Sequence, residues 1–225
     1  VNAGKISVGK KSTGIYIVED DRSPAAATVG ATATNDASGV ITVGENSTGI
    51  YYKVKNDNAD GKGTNTGISG GISNDGRIES TAKDVIAMSF DSPYSSKTVK
   101  NEQTGVIDLQ GQNSTGIFGE ANSTLLNDTN GNITVKEESS VGIYSKGNNK
   151  LAENKGIILA EKKKSAGMLG NEGDLENSNS ITTQDEESAG MYVENSNATN
   201  KKIINANGKK SAGVYVKLDK ATGGT

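Results

Sequence analysis

The chain contains no cysteine, no histidine and no tryptophan, and only two prolines and two phenylalanines. Without cysteine there is neither a disulfide framework nor thiolate chemistry. Without histidine, the commonest metal ligand and the commonest general base are both missing. No apolar run approaches the roughly 20 residues needed to cross a bilayer as a helix, and Val1-Asn2-Ala3-Gly4 does not read as a signal peptide. An excess of one charge is lacking too. Lys and Arg total 24 against 27 Asp and Glu, a net charge of -3, and the two signs are interspersed. No basic surface suited to duplex nucleic acid is indicated, so neither nucleic acid nor membrane is an expected partner.

Hydrophobic residues make up only 32% of the chain and glycine supplies 29 positions, a composition that by itself resembles disorder. What is present is a repeat. Relatives of Ser211-Ala212-Gly213-Val214-Tyr215 recur with their glycines at 14, 49, 116, 142, 167, 190 and 213, and a worn copy lies around Ile86. Eight or nine residues before each anchor stands an isoleucine: Ile6, Ile41, Ile78, Ile107, Ile133, Ile158, Ile181 and Ile204. After Ile86 the anchor spacing settles through 30, 26 and 25 to 23 and 23 residues, about one turn of a β-helix with three short strands. Two apolar stretches per unit that keep register imply a stacked solenoid, which needs few buried side chains per turn. The leucine framework of a leucine-rich repeat is absent, and β-branched residues beside glycine oppose helix. The expected fold is therefore all-β, a right-handed parallel β-helix of about eight to nine coils, roughly 40 Å long at the interstrand spacing. Residues 1–225 read as one such segment of a longer protein, with loop excursions at 19–37 and 53–75. A third strand is weakly marked around Leu126, Leu151 and Leu175.

Stacking gives several positions a physical reading. Asn2, Asn74, Asn154, Asn177 and Asn200 each fall two residues before a strand opening and form a partial asparagine ladder, each amide bonding to its counterpart one coil up. On the anchor strand the residues flanking the glycine are expected inward: Thr13 and Ile15, Val141 and Ile143, Ala166 and Met168, Ala189 and Met191, Ala212 and Val214. The opposite parity then stacks Tyr144, Leu169, Tyr192 and Tyr215 outside, beside glycines that leave room for rings. Four residues before each anchor, Glu138, Lys163, Glu186 and Lys209 continue a series begun by Lys10 and Glu45. In register they form opposite-charge neighbours along one edge.

Motifs with chemistry are weak. Gly4 to Ser12 nearly spells a phosphate-binding loop, but it spans two β segments and opens no helix. Asn56, Asn58, Asp60 and Gly61 imitate half of a calcium loop, but Gly67 stands where the bidentate glutamate belongs; at most a weak surface cation site is left. Glu19-Asp20-Asp21 reads as solvated charge. Parallel β-helices include carbohydrate lyases and hydrolases with grouped carboxylates or arginines in a groove. This chain has only Arg22 and Arg77, and its grouped acids, such as Asp185-Glu186-Glu187, sit at repeat positions. No catalytic, cofactor-binding or metal-ligating residue is assigned, and the segment is not expected to be an enzyme.

Asn46-Ser47-Thr48-Gly49-Ile50-Tyr51, Asn113-Ser114-Thr115-Gly116-Ile117-Phe118 and Lys210-Ser211-Ala212-Gly213-Val214-Tyr215 resemble the degenerate repeats of bacterial autotransporter passengers, and more narrowly those of large fusobacterial outer-membrane adhesins. The resemblance covers nearly the whole chain. It implies a surface-displayed, extracellular rod anchored in the outer membrane through a C-terminal barrel outside this sequence. It also implies attachment to an unidentified protein or glycan receptor on other bacteria or host cells. Two rival readings are a carbohydrate-active enzyme on the same scaffold and a self-association module whose charge and asparagine rows zip rods together.

Overall fold

The computed structural model describes residues 1–20, 29–55, 69–92, 97–120, 123–147 and 151–219. Among these every regular element is a strand, and every strand pairing is parallel. The chain winds as a right-handed parallel β-helix with three sheets. The first and second sheets each stack eight strands, and the third stacks seven. Coils are numbered below by their isoleucine rung in the first sheet.

That rung is the clearest feature of the core. Ile6, Ile41, Ile78, Ile107, Ile133, Ile158, Ile181 and Ile204 lie over one another in unbroken register. The six inner ones are fully buried. Each such side chain removed from water contributes about 1.5–3 kcal/mol. Inward residues of the second sheet, among them Ile50, Met88, Ile117, Ile143, Met168 and Met191, form a second buried column. In the third sheet Ala33, Ile72, Val99, Leu125, Ala152 and Leu175 close the triangle. The core is thus a narrow shaft a few side chains wide, and this is why 32% apolar composition suffices.

The asparagine ladder is longer than the sequence reading, and it lies inside. Asn2, Asn35, Asn74, Asn101, Asn127, Asn154 and Asn177 each pass an amide N–H to the side-chain carbonyl oxygen of the next, ending at Asn200, at 2.8–2.9 Å. The six inner ones are fully buried. Asn35, Asn101 and Asn127 escape a fixed-spacing search because four residues, not two, separate them from the next strand. The extra pair is taken up by a tight turn closed by Gly39, Gly105 or Gly131, whose N–H donates to the carbonyl of Asp36, Glu102 or Asp128. A second polar column runs through the repeat serines. The backbone N–H of Ser114, Ser140, Ser165 and Ser188 donates to the hydroxyl of the serine one coil on, at 3.1–3.4 Å. The residue before each serine position adopts a left-handed conformation in all eight coils, at Lys11, Asn46, Asp84, Asn113, Ser139, Lys164, Glu187 and Lys210. Such a corner costs an L-residue about 1–2 kcal/mol, and a place in the serine column is what every coil but coil 3, which has Val85 there, gains in return.

Two expectations are corrected. The stretches 19–37 and 53–75 are not simply loops: they contain the third-sheet strands Val29–Asn35 and Ser69–Asn74 and the ends of Thr13–Asp20 and Thr48–Lys55. Sequences as bland as Val-Gly-Ala-Thr-Ala-Thr-Asn carry too little apolar contrast to announce a strand. Residues 21–28 and 56–68 of those stretches lie outside the described residues. Second, the residue before each anchor glycine faces outward. Val141 is half-exposed, and Ala166 and Ala189 stand apart from the core cluster. The glycine itself points inward, so that a Cβ on Gly142 would lie 2.5 Å from the Gly167 carbonyl oxygen and 2.7 Å from Ile158 Cγ2. Alternation slips by one at the glycine, which makes room for the isoleucine column rather than for the rings. The weakly marked third strand is present, with Leu126, Leu151 and Leu175 on Thr124–Asn127, Leu151–Asn154 and Leu175–Asn177; there Leu125 and Ala152 face in, while Leu126 and Leu151 face out.

Replacing Asn127 by Ala would leave the Asn101 amide N–H and the Asn154 carbonyl oxygen buried without their ladder partner. An unsatisfied buried polar group costs about 1–3 kcal/mol, so urea unfolding should show a loss of that order at an unchanged m-value.

Candidate functional surfaces

On the outer face of the first sheet, coils 3 to 5 bring together Arg77, Glu79, Asp108 and Lys136. The Arg77 guanidinium donates from Nε to Glu79 at 2.6 Å and from Nη2 to Asp108 at 2.7 Å. Lys136 Nζ reaches the other Asp108 oxygen at 2.9 Å, and Gln110 stands beside it. Burial pushes the Asp108 carboxyl up, but Lys136 first, with Gln110 and Arg77, overcomes this and holds it below the usual carboxylate range. Two acids and two bases therefore neutralise one another, and Asp108 stays ionised at neutral pH, unsuited to donating a proton. A shallow hollow of about 190 Å³ adjoins the cluster, lined by Thr42, Val43, Glu79, Ser80, Thr81 and Gln110.

The second sheet carries an aromatic row outside. Tyr16, Tyr51, Ser89, Phe118, Tyr144, Leu169, Tyr192 and Tyr215 share one register, which places Tyr144 through Tyr215 as the sequence implied. Tyr16 stacks on Tyr51 with centroids 5.3 Å apart, and Tyr192 on Tyr215 at 5.1 Å. Beside this row run the residues preceding the glycines. They are bulky in coils 2 to 5 (Thr48, Ile86, Thr115, Val141) and become alanine at 166, 189 and 212. A trough of about 200 Å³ opens where the bulk is lost, bounded by Ala189, Ala212, Tyr192 and Tyr215 on one side and by Glu187 and Lys210 on the other.

Charge pairing along the coils is extensive. Lys10 meets Glu45 at 2.6 Å and Lys163 meets Glu138 at 3.3 Å, both from the expected series. Glu186 and Lys209 do not close; one position along, Glu187 and Lys210 approach to 3.8 Å instead. Sequence reasoning did not find the rows Lys53–Asp91, Glu120–Lys146 and Glu194–Lys217 at the far end of the second-sheet strands.

Glu19, expected in solvent, is turned inward. It accepts a hydrogen bond from the Tyr52 hydroxyl and pairs with Lys97 at 3.2 Å. The Lys97 side chain is fully buried and lies over the Tyr52 ring. The signal available in sequence was the doubled aromatic at Tyr51-Tyr52, whose second ring must enter the core by alternation. The Gly4 to Ser12 stretch forms a strand, Lys5–Ser7, and a turn into the next strand, with no helix to cap a phosphate. The calcium-like residues at 56, 58, 60 and 61, and Arg22, lie outside the described residues. Among the described residues no group of three or more acidic side chains is disposed to hold a metal ion.

Comparison with known proteins adds one finding. A family model described as the BigA third pectate lyase-like domain matches residues 1–223, and the chain belongs to that family. The match supports a β-helical passenger-type domain of a bacterial surface protein and does not single out the fusobacterial type. No curated protein and no solved structure matches the chain.

The Asp108 pairing makes a pH-dependent prediction. A carboxyl whose pKa is depressed on folding contributes stability above its unfolded value, near pH 4, and that stability is lost as pH falls through the folded value. Lys136→Gln should cost about 1–2 kcal/mol at pH 7, and the difference from the parent should shrink toward zero as melts are taken down through the depressed Asp108 value.

Proposed function

We propose that this chain is a stiff spacer segment in the passenger of a bacterial surface adhesin of autotransporter type, similar to the fusobacterial proteins, with an outer-membrane anchor supplied by another part of the parent. The observation that carries the reading is the uninterrupted stack of buried isoleucine and asparagine from coil to coil. Bending such a rod would separate several hydrogen bonds and a packed rung at once, so the segment resists flexing. That is the property needed to hold a binding part away from a cell. The outward charges are consistent with this use, since most close onto neighbouring coils as framework contacts.

The receptor, a protein or glycan of another bacterium or a host cell, is expected to meet the corner between the second and third sheets. There the connections in the first two coils, 21–28 and 56–68, are longer than the three residues 172–174 and 195–197 used in coils 6 and 7. Insertions in solenoids gather on the face that binds. Deleting 21–28 or 56–68 while retaining the flanking strands, in the displayed parent protein, should reduce attachment at least several-fold for one of the two; full attachment by both would remove this corner from consideration.

A second reading, a carbohydrate-active enzyme, draws on the pectate lyase-like description of the family and on the Arg77–Asp108 cluster. It requires chain cleavage of polygalacturonate that Arg77→Ala abolishes. The spacer reading expects no cleavage.

A further inference from the structure

The corner between the first and second sheets changes sign down the last four coils. Coil 4 has only Gln110, Gln112 and Asn113 there, without charge. Coil 5 presents Glu137 and Glu138 beside Lys136, which is engaged by Asp108, and is net negative; coil 6 presents Lys162, Lys163 and Lys164 beside Glu161 and is net positive; coil 7 presents Asp185, Glu186 and Glu187, and coil 8 presents Lys209 and Lys210. Within the chain, Lys163 pairs with Glu138 and Lys210 with Glu187. Among the described residues Lys162, Lys164, Glu186 and Lys209 join no ion pair, and all four are exposed.

The order negative, positive, negative, positive is self-complementary about a twofold axis between coils 6 and 7. In an antiparallel pair, coil 6 faces coil 7 of the partner twice, and coil 5 faces coil 8 twice. Every facing block is then of opposite sign. The alanine-floored trough adjoins this corner, and its Tyr192 and Tyr215 can receive the apolar stem and ammonium of a facing lysine. We propose that this corner is a homotypic interface, occupied by a second copy of the chain lying antiparallel with its dyad between coils 6 and 7. A closed isologous contact of this kind yields dimers rather than filaments. The asparagine row from Asn35 to Asn177 cannot take part, because it is buried. The proposal goes beyond the spacer reading and does not depend on it.

Sedimentation of the purified chain tests it. At about 0.1 M salt, where the Debye length is about 10 Å, a concentration-dependent monomer–dimer equilibrium is expected, weakened about tenfold or more at about 1 M salt, where that length falls to about 3 Å. The double variants Lys162→Glu/Lys164→Glu and Glu186→Lys/Glu187→Lys should each be monomeric with parental circular dichroism, the second melting somewhat lower because it loses the Glu187–Lys210 pair. Mixed in equal amounts they should form a heterodimer, because each then meets its opposite. A wild-type chain that stays monomeric at low salt and millimolar concentration, or a mixture that fails to associate, overturns the proposal. Spin labels on Lys10→Cys fix the direction: the antiparallel pair places them roughly 50 Å apart along the axis, eleven strand spacings, whereas a short distance means a parallel pair and overturns the assigned geometry.

Discussion

A buried carboxamide offers two donors and an acceptor that water cannot reach, and an apolar interior leaves them unmatched. In this chain each inner asparagine meets the requirement by donating both to the next asparagine in the stack and to a nearby backbone carbonyl, such as Gly105 for Asn101 and Gly131 for Asn127. The ladder from Asn2 to Asn200 is therefore a register constraint before it is a source of stability. Sliding one coil against its neighbour by a residue would strand several amides and turn an isoleucine rung outward at the same time.

Other positions are arranged around that constraint. The isoleucine column needs a bare backbone opposite it, and the anchor glycines supply it: a Cβ on Gly167 would lie 2.3 Å from Ile181 Cγ2 and one on Gly190 would lie 2.2 Å from Ile204 Cγ2. Each corner into the second sheet is closed by a left-handed residue, followed by a buried serine in coil 2 and coils 4 to 7 and by Val85 in coil 3. The first coils depart from the pattern, since the shaft there holds Tyr52 and Phe90 where later coils have Gly119, Ser145 and Gly170. The buried Glu19–Lys97 pair crosses this wider part. Removing Lys97 would take from Glu19 the ammonium it faces there.

Much of this was legible in sequence because a solenoid repeats its constraints. The isoleucines announced their column, and the rings from Tyr144 to Tyr215 their row, since both recur at positions fixed relative to the glycine. What stayed hidden was whatever the repeat varies or has no contrast to show. Asn35, Asn101 and Asn127 were displaced by two-residue insertions in a turn. The first two third-sheet strands, Val29–Asn35 and Ser69–Asn74, are rich in Ala, Thr, Gly and Ser and look like linker. The glycine slip inverted the reading of Val141 and its equivalents, because strict alternation assumes an extended backbone that glycine need not keep. The inward turn of Glu19 depends on Lys97, some 78 positions later in the chain, and no local pattern reports it.

A stacked rod with a largely self-neutralised exterior fits projection better than turnover, and membership of a pectate lyase-like family fixes the scaffold rather than the chemistry. Everything nevertheless depends on the buried ladder being closed in solution. Side-chain amide exchange, followed by NMR on protein labelled with ¹⁵N-asparagine, reads this directly. The account predicts that the Nδ2 protons of Asn74, Asn101, Asn127 and Asn154 exchange only through opening of the surrounding coils, far more slowly than those of exposed Asn46 or Asn113. Exchange of all six at the same fast rate would contradict it.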